Sequence, residues 1–284
     1  MTETLLEATG LVKTFGKRQS AGHVRAVDEV DLVVPAGQIV GIMGETGSGK
    51  STTARCLVGL ETVDAGSLTY DGQDILHATG SARAKFRREV QMVFQNPYAS
   101  LNPRMTVEQL VGEGLLVHGI VTDRTARRRR VREILDQVGL AGVDLRRLPR
   151  SFSGGQRQRI AIARALAVGP RLLICDEPVS ALDVSVQAQI VNLLSDMRAE
   201  LGLAVLFIAH DPAVLRHLCD QMVVMQDGRV VETGPTAEVF EHPRHSYTQQ
   251  LLAAVPVADP AESRRRRAAA KAAAGPDEKG DRSC

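Results

Sequence analysis

The sequence predicts an α/β protein built on a parallel sheet. Strand-like segments alternate with helix-like segments along the chain, first at residues 38–43 and 51–60, and again at residues 90–94 and 107–118. Alternation of this kind is typical of parallel strands joined by crossover helices. We therefore expect a layer of parallel strands with helices packed on it.

The N-terminal part of the chain predicts a second layer. Three short strand-like segments, linked by turns rather than helices, lie at residues 5–12, 27–34 and 67–70. Short strands joined in this way favour antiparallel pairing. We expect an antiparallel β layer beside the parallel sheet.

A helical region follows from about residue 105 to residue 141. Residues 122–138 include six arginines together with apolar residues at helical spacing, among them Val131, Ile134 and Leu135. The spacing predicts one packed face, with the arginines mostly on the opposite, solvated face. The alternative is that the arginines contact acidic lipid headgroups or a partner protein.

Length and composition limit the class of protein. The chain has 284 residues, of which 44% are hydrophobic and 24% are charged, a balance typical of globular proteins. The longest apolar run, residues 201–209, is nine residues long, about half of the ~20 that a membrane-spanning helix needs. The first ten residues lack the features of a secretory signal, so we expect a cytoplasmic chain.

The net charge of +2 is concentrated in the C-terminal tail. Residues 257–284 carry seven basic and five acidic residues, which leaves 28 of each sign in the rest of the chain. A formally neutral body argues against a nucleic-acid-binding protein. The tail has no large apolar residue and is predicted to be disordered, with Arg264 to Arg267 as an auxiliary contact for anionic lipid.

Four cysteines are spread along the chain: Cys56, Cys175, Cys219 and Cys284. No two of them form the C-x-x-C pair that is typical of zinc or iron–sulfur sites. We expect reduced thiols, and the apolar surroundings of the first three in the sequence predict core positions.

A phosphate-binding loop is predicted at residues 44–51. The sequence Gly-Glu-Thr-Gly-Ser-Gly-Lys-Ser fits the pattern G-x-x-x-x-G-K-[ST] and lies between an apolar run and an amphipathic segment. The glycines let consecutive N–H groups turn toward phosphate oxygens, and the following helix adds the positive end of its dipole. Lys50 would place its charge at the β- and γ-phosphates, and the Ser51 hydroxyl would bind Mg²⁺. Nucleoside triphosphate binding follows from this loop.

The second half of the predicted site lies at residues 171–178, an apolar strand that ends in two carboxylates. Asp176 would hold Mg²⁺ through its water shell. Glu177 would act as the general base toward the attacking water, a role worth about 10²–10⁴ in rate. The alternative, a polar strand end without function, leaves the coincidence with Lys50 unexplained.

Another glycine-rich helix start lies between the two half-motifs. Ser153, Gly154, Gly155 and Gln156 precede a helical apolar segment. By the same dipole and N–H argument, this helix start is a second anion-binding surface.

These motifs together resemble the ATP-binding cassette (ABC) ATPases, and the resemblance covers about residues 5–256. It implies a P-loop NTPase fold with a RecA-like parallel-sheet core, an antiparallel β subdomain and an inserted α-helical subdomain. The residues that the resemblance assigns to nucleotide binding are Phe15, which would stack on adenine, and Gly44, Glu45, Thr46, Gly47, Ser48, Gly49, Lys50, Ser51 and Thr52. A core position is the alternative for Phe15.

The resemblance also implies catalytic and metal-binding roles. Gln95 is the Q-loop glutamine and joins Ser51 and Asp176 at Mg²⁺. Glu177 is the catalytic carboxylate, and His210, which follows the strand-like residues 205–209, is the switch histidine. In the family, two cassettes dimerise head to tail around ATP.

The trans contacts of that dimer involve two further segments. Residues 153–156 are the signature, which would close on the γ-phosphate held by the partner cassette. Asp183 belongs to the D-loop. Phe152 stands where leucine commonly precedes the signature serine, and this departure removes no catalytic group.

Two further stretches resemble the ATP-binding subunits of oligopeptide and dipeptide permeases. Residues 95–107 are similar to the Q-loop stretch of that branch, and residues 242–256 to its C-terminal element, with Ser246 in place of the usual proline. Asn-Pro pairs at 96–97 and 102–103 predict turns around Tyr98 and Leu101, exposing an irregular surface. The resemblance implies that a cytoplasmic helix of the permease docks there, and an ordinary ordered loop is the alternative. The absence of a C-terminal cysteine cluster argues against an iron–sulfur cofactor.

The predicted domain organisation is an ABC ATPase domain at residues 1–256, followed by the tail at 257–284. Within the domain, the helical subdomain spans about residues 97–168 and the C-terminal element about residues 235–256. ATP and Mg²⁺ are the expected cofactors.

The leading hypothesis is the ATP-hydrolysing subunit of a multi-component importer for oligopeptides or dipeptides. Its expected partners are two transmembrane permease subunits, a second ABC ATPase subunit (this chain or a related cassette) and, indirectly, an extracytoplasmic solute-binding protein. Its expected location is the cytoplasmic face of the cell membrane. The alternatives are the same subunit for nickel or another small solute and, more remotely, a soluble non-transport ABC ATPase. A GTPase or small-molecule kinase would leave residues 153–156 unexplained.

Overall fold

A computed structural model describes residues 3–16, 24–180 and 182–254. The predicted tail at 257–284 lies outside the described residues. Within the described ranges, no helix combines the length and the apolar character required to cross a membrane.

The described residues form ten strands and ten α-helices, with a short 3₁₀ turn at Pro149–Ser151. The strands are β1 (Thr4–Phe15), β2 (Val24–Pro35), β3 (Ile39–Met43), β4 (Ala65–Tyr70), β5 (Gln73–Asp74), β6 (Val90–Val93), β7 (Leu172–Asp176), β8 (Ala204–Ile208), β9 (Gln221–Gln226) and β10 (Arg229–Pro235). The helices are α1 (Lys50–Leu57), α2 (Gly80–Glu89), α3 (Pro97–Ser100), α4 (Val107–Val117), α5 (Arg124–Gln137), α6 (Gly154–Leu166), α7 (Val184–Leu201), α8 (Pro212–Leu218), α9 (Thr236–Glu241) and α10 (Ser246–Ala253).

The larger sheet has six strands in the order β10-β9-β3-β8-β7-β6. The pairs from β9 to β6 are all parallel, and β10 is added antiparallel at the edge. Every residue of β3, β7 and β8 is buried, as continuous apolar runs between two covered faces require. The predicted parallel sheet is confirmed.

The smaller sheet is antiparallel, in the order β2-β1-β4-β5. Its apolar residues join one face of the parallel sheet in a common core, to which β8 contributes Ala204, Leu206 and Ile208. The alternate residues Val205 and Phe207 belong to a second core on the opposite face, shared with the helical region. Successive side chains of β8 thus point to opposite faces, so the antiparallel sheet and the helical region pack on the two sides of the parallel sheet.

The helical region consists of α4, α5 and α6 packed together. The predicted stretch at 105–141 is two helices, because Gly119 adopts a left-handed φ of 63° and the Asp123 side chain accepts the N–H of Ala126 at 2.7 Å, which starts α5. Val131 and Ile134 are fully buried, so the arginines lie on the remaining faces as predicted.

The segment after Gln95 differs from its prediction in one respect. Asn96 caps the short helix α3 by accepting the N–H groups of Tyr98 and Ala99. Tyr98 is exposed, as expected, but Leu101 is buried in the core. The expectation of exposure at Leu101 was wrong because the chain ends α3 by turning this apolar side chain inward.

Candidate active site

The phosphate-binding loop at residues 44–51 connects the C-terminal end of β3 to α1. Close packing explains two of its glycines. A Cβ at Gly49 would lie 2.3 Å from the carbonyl oxygen of Ala26, and one at Gly44 would lie 2.2 Å from that of Met225. Both glycines have positive φ. Only glycine fits a loop that is held this closely between β2 and β9.

Lys50 is the first residue of α1, and its ammonium is buried. It donates to the carbonyl oxygens of Gly44 at 2.8 Å and Glu45 at 2.7 Å, and to the Ser48 hydroxyl at 3.3 Å. Burial lowers the pKa of Lys50, against the opposing attraction of Glu177 and other nearby carboxylates. The ammonium group of Lys50 is therefore held inside the loop, where a bound anion would offset the free-energy cost of removing this charge from water.

The two half-motifs predicted from the sequence meet in the structure. The Ser51 hydroxyl donates to Asp176 Oδ1 at 2.7 Å, although 125 residues separate them. Asp176 is the last residue of β7 and is buried. A hydroxyl beside a buried carboxylate is a set of hard oxygen donors, which fits Mg²⁺.

Glu177 follows directly and lies in the left-handed region, with φ of 48°. Its carboxylate is buried between two side chains from neighbouring strand ends. Gln95 Nε2 donates to Glu177 Oε2 at 2.6 Å, and His210 Nε2 contacts Glu177 Oε1. The parallel strands β6, β7 and β8 therefore deliver Gln95, Glu177 and His210 to one edge of the sheet.

A cavity of about 430 Å³ lies at this edge. Its lining consists of Phe15, Ala26, Thr46, Gly47, Gly49, Lys50, Ser51, Thr52, Gln95, Glu177 and His210. Phe15 is 41% exposed, so it is not a core residue. Gly44, Glu45, Ser48 and Asp176 lie outside the lining: Gly44, Ser48 and Asp176 are buried and Glu45 is exposed.

The signature residues lie apart from this cavity. Ser153 caps α6 through a capping box with Gln156: the Ser153 hydroxyl accepts the Gln156 N–H, and the Gln156 side chain accepts the Ser153 N–H. The N-terminal end of α6 contacts α7, since a Cβ at Gly155 would lie 2.5 Å from Val186 Cγ1. Asp183 is the exposed N-cap of α7. None of these residues lines the cavity of its own chain.

Sequence reasoning missed two contributors. Ala26 lines the cavity beside Phe15, and nothing distinguishes an alanine in a strand in advance. Tyr247 of α10 contacts the phosphate-binding loop from the far end of the chain. The resemblance pointed to the segment that contains Tyr247 but not to this contact.

Comparison with known proteins identifies families and solved structures to which this chain is similar. Residues 27–180 match the model of the ABC transporter family, and residues 231–284 match that of the oligopeptide/dipeptide transporter C-terminal region. Among solved structures, the chain is similar to the ATP-binding cassette MJ0796, in a dimeric post-hydrolysis state bound to ADP and Pi. The TM-score is 0.74 at 29% identity, over 82% of this chain and 99% of that one.

Several curated relatives are similar over nearly their whole length. The oligopeptide transport ATP-binding protein OppF of Streptococcus mutans is 46% identical, over 94% of this chain and 87% of its own. The OppF of Bacillus subtilis shows the same identity and coverage. The dipeptide transport ATP-binding protein DppF of Lactococcus lactis is 44% identical over 94% of this chain and 86% of its own. The predictions of an ABC cassette fold and of an ATP-hydrolysing enzyme are confirmed, and the chain belongs to the ABC transporter family.

Proposed function

We propose that this chain is the ATP-hydrolysing, nucleotide-binding subunit of a membrane importer for oligopeptides or dipeptides. The observation that carries the catalytic part is the buried Glu177 carboxylate, held between Gln95 and His210 at the cavity that Lys50 lines. The peptide part is supported by the names of the relatives and by the C-terminal match.

In this proposal, the triphosphate of ATP lies along the phosphate-binding loop. The N–H groups of the loop and of Thr52 bind phosphate oxygens, and Lys50 neutralises the β- and γ-phosphates. Phe15, exposed at the cavity, stacks on adenine. The loop residues outside the lining, Gly44, Glu45 and Ser48, act by shaping the loop.

Ser51 and Asp176, with Gln95 beside them, are proposed to hold Mg²⁺. When bound, Mg²⁺ would neutralise charge on the β- and γ-phosphates. Asp176→Asn should raise the concentration of Mg²⁺ needed for half-maximal turnover, whereas an unchanged requirement would contradict the assignment.

Glu177 is proposed to take the proton of the attacking water. Its two oxygens are held from opposite sides, so the carboxylate is fixed in orientation before substrate binds. A preorganised base needs little rearrangement in the transition state. When ATP is bound, His210 is proposed to form a hydrogen bond with the γ-phosphate, and Gln95 to contact the metal. Both side chains would thereby link Glu177 to the bound nucleotide.

A complete site is proposed to need a second cassette, either this chain or a related one. Ser153, Gly154, Gly155 and Gln156 would close on the γ-phosphate held by the partner, with Asp183 beside the interface. The separation of α6 from the cavity of its own chain supports this arrangement, since an anion-binding helix start without a ligand in cis is otherwise unexplained.

At the cytoplasmic face of the membrane, this chain is proposed to bind two transmembrane permease subunits. An extracytoplasmic solute-binding protein would deliver the solute to those permeases. Exposed Tyr98, three residues after Gln95, is the proposed docking surface for a permease helix. Gln95 lines the cavity, so a surface that follows it closely in the chain can transmit nucleotide state to a membrane partner.

Uptake measurements test the proposal. Cells lacking the gene should lose uptake of labelled di- to pentapeptides; the wild-type gene should restore it, and a Glu177→Gln gene should not. Labelled Ni²⁺ uptake is the parallel arm. Intact peptide uptake in the deletion strain would contradict the proposal, and a selective loss of Ni²⁺ uptake would favour the nickel alternative.

A further inference from the structure

Tyr247 connects the C-terminal element to the nucleotide site. Its phenol oxygen accepts the backbone N–H of Glu45 at 2.9 Å, across 202 residues of sequence. Tyr247 is 9% exposed, so its ring is held among other side chains, while the Glu45 side of the hydrogen bond is open to solvent. The Tyr247 oxygen therefore lies against the beginning of the phosphate-binding loop. Tyr247 belongs to α10, a helix that contributes no residue to the cavity lining.

The beginning of the loop is held from two directions. Lys50 binds the carbonyl oxygens of Gly44 and Glu45 from inside the loop. Tyr247 binds the N–H of Glu45 from outside. Because both peptide groups that flank the Glu45 Cα are hydrogen-bonded, the backbone of the loop at this point has little freedom to change conformation.

The phenol is itself rigidly placed. The Glu232 carboxylate on β10 accepts the N–H of Arg244 at 2.8 Å and that of His245 at 3.1 Å. The His245 ring nitrogen Nδ1 accepts the N–H of Tyr247 at 3.2 Å and caps α10. Burial acts to raise the pKa of Glu232, but the N–H donors of Arg244 and His245, together with Thr248 and the nearby His245 ring, outweigh it and the pKa is lowered. The charged form of the carboxylate is therefore favoured as the acceptor of these N–H groups.

We propose that Tyr247 is a positioning residue for ATP: its hydroxyl fixes the Glu45 peptide so that the phosphate-binding loop keeps its binding conformation. The C-terminal element is therefore part of the nucleotide site. ATP binding to a loop that is already ordered loses less conformational entropy than binding to a loose one. The residues around Glu177 are not involved, so the effect belongs to nucleotide affinity and not to the chemical step.

Tyr247→Phe tests the proposal because it removes one oxygen and preserves the ring. A neutral hydrogen bond contributes about 0.5–1.5 kcal/mol, so the Kd and KM for ATP should rise by about twofold to tenfold. The kcat should change by less than about twofold, because an interaction made equally in ground and transition states affects KM alone.

Tyr70→Phe is the matched control. Tyr70 is also buried, and its hydroxyl donates to Glu89 at 2.9 Å, away from the cavity. Because the Tyr70 hydroxyl donates to a carboxylate, this variant should lose at least as much thermal stability as Tyr247→Phe, with no change in ATP affinity. A similar rise of KM in both variants would mean general loosening and would overturn the proposal.

Hydrogen exchange supplies a readout that does not depend on activity. In the nucleotide-free full chain, the peptide covering residues 44–50 should exchange faster in Tyr247→Phe than in the wild type, and should not change in Tyr70→Phe. Unchanged exchange, or a Kd for ATP within 1.5-fold of wild type, would overturn the proposal. A fall in kcat at constant KM would do the same.

Discussion

The guanidinium of Arg157 lies over the ring of Tyr98, with its central carbon 4.0 Å from the ring centroid. The same guanidinium is anchored in the protein, since its Nε donates to the carbonyl oxygen of Pro149 at 2.7 Å. Arg157 belongs to α6 and Tyr98 to α3, so the stack joins the helix that begins with the signature to the segment that follows Gln95.

A second contact links the same two elements. Arg164, two turns further along α6, donates to the carbonyl oxygen of Ser100 at 2.7 Å. Because the two contacts lie at different points along α6, they restrict both the rotation of α3 relative to α6 and the distance between the two helices. Motion of the segment after Gln95 is therefore expected to be passed to the helix that begins after Ser153.

Tyr98→Leu should lower the thermal midpoint of the protein. A cation–π contact at an exposed site contributes about 0.5–1 kcal/mol, which corresponds to about 1–4 °C for a chain of this size. Differential scanning fluorimetry measures the shift. Tyr98→Phe keeps the aromatic ring that contacts Arg157 and should retain the wild-type midpoint. An equal loss of thermal stability in both variants would show that the hydroxyl, and not the cation–π contact, is responsible.

Glu177→Gln should bind ATP but turn it over about 10²–10⁴ times more slowly, because the amide cannot accept a proton from water. Phosphate release and equilibrium binding of a fluorescent ATP analogue separate the two effects. ATP-bound dimers should accumulate in size-exclusion chromatography. Glu200→Gln, at an exposed position on α7, is the control, and rapid hydrolysis by Glu177→Gln would disprove the base assignment.

Lys50→Ala should lose affinity for ATP itself. Charge-assisted hydrogen bonds contribute about 1.5–3 kcal/mol, so the Kd for ATP should rise by about tenfold to a hundredfold. Lys85→Ala is the matched control, since Lys85 is a partly exposed lysine whose ion pair with Asp71 lies outside the cavity. Unchanged ATP binding by Lys50→Ala, measured by isothermal titration, would contradict the role of the loop.

Gly155→Ala should disturb the contact between α6 and α7. The added methyl would lie 2.5 Å from Val186 Cγ1, and forcing such a contact costs about 1–3 kcal/mol. Chemical denaturation should show this loss. The double variant with Val186→Ala frees the space and should recover most of the stability; failure of this rescue would mean that the glycine is required for another reason.

The three buried thiols should be inert in the native protein. Cys56, Cys175 and Cys219 are all buried, and burial raises the pKa of Cys56 to about 11 and those of the other two further. In a Cys284→Ser variant, a thiol reagent at pH 8 should therefore react only after denaturant is added. Reaction in the native state would show that one of these sites opens.

Much of the site was predictable because its chemistry lies in contiguous motifs. The loop at 44–51 fits a phosphate-binding motif placed between a strand and a helix, and the carboxylates at 176–177 end an apolar strand. Their meeting could be expected because parallel strands end at the same edge of a sheet. The roles of individual residues remain predictions that the variants above test.

Other features depended on the tertiary structure. Leu101 was expected on an exposed turn and is buried, because α3 ends by directing it into the core.

The sequence by itself determined the α/β class, the phosphate-binding loop and the strand that carries Asp176 and Glu177, because local spacing and hydrophobic alternation encode them. Only the tertiary structure decided that Tyr247 holds Glu45 and that Arg157 stacks on Tyr98. These contacts join residues far apart in the chain, and their geometry depends on how whole elements pack, which no local pattern records.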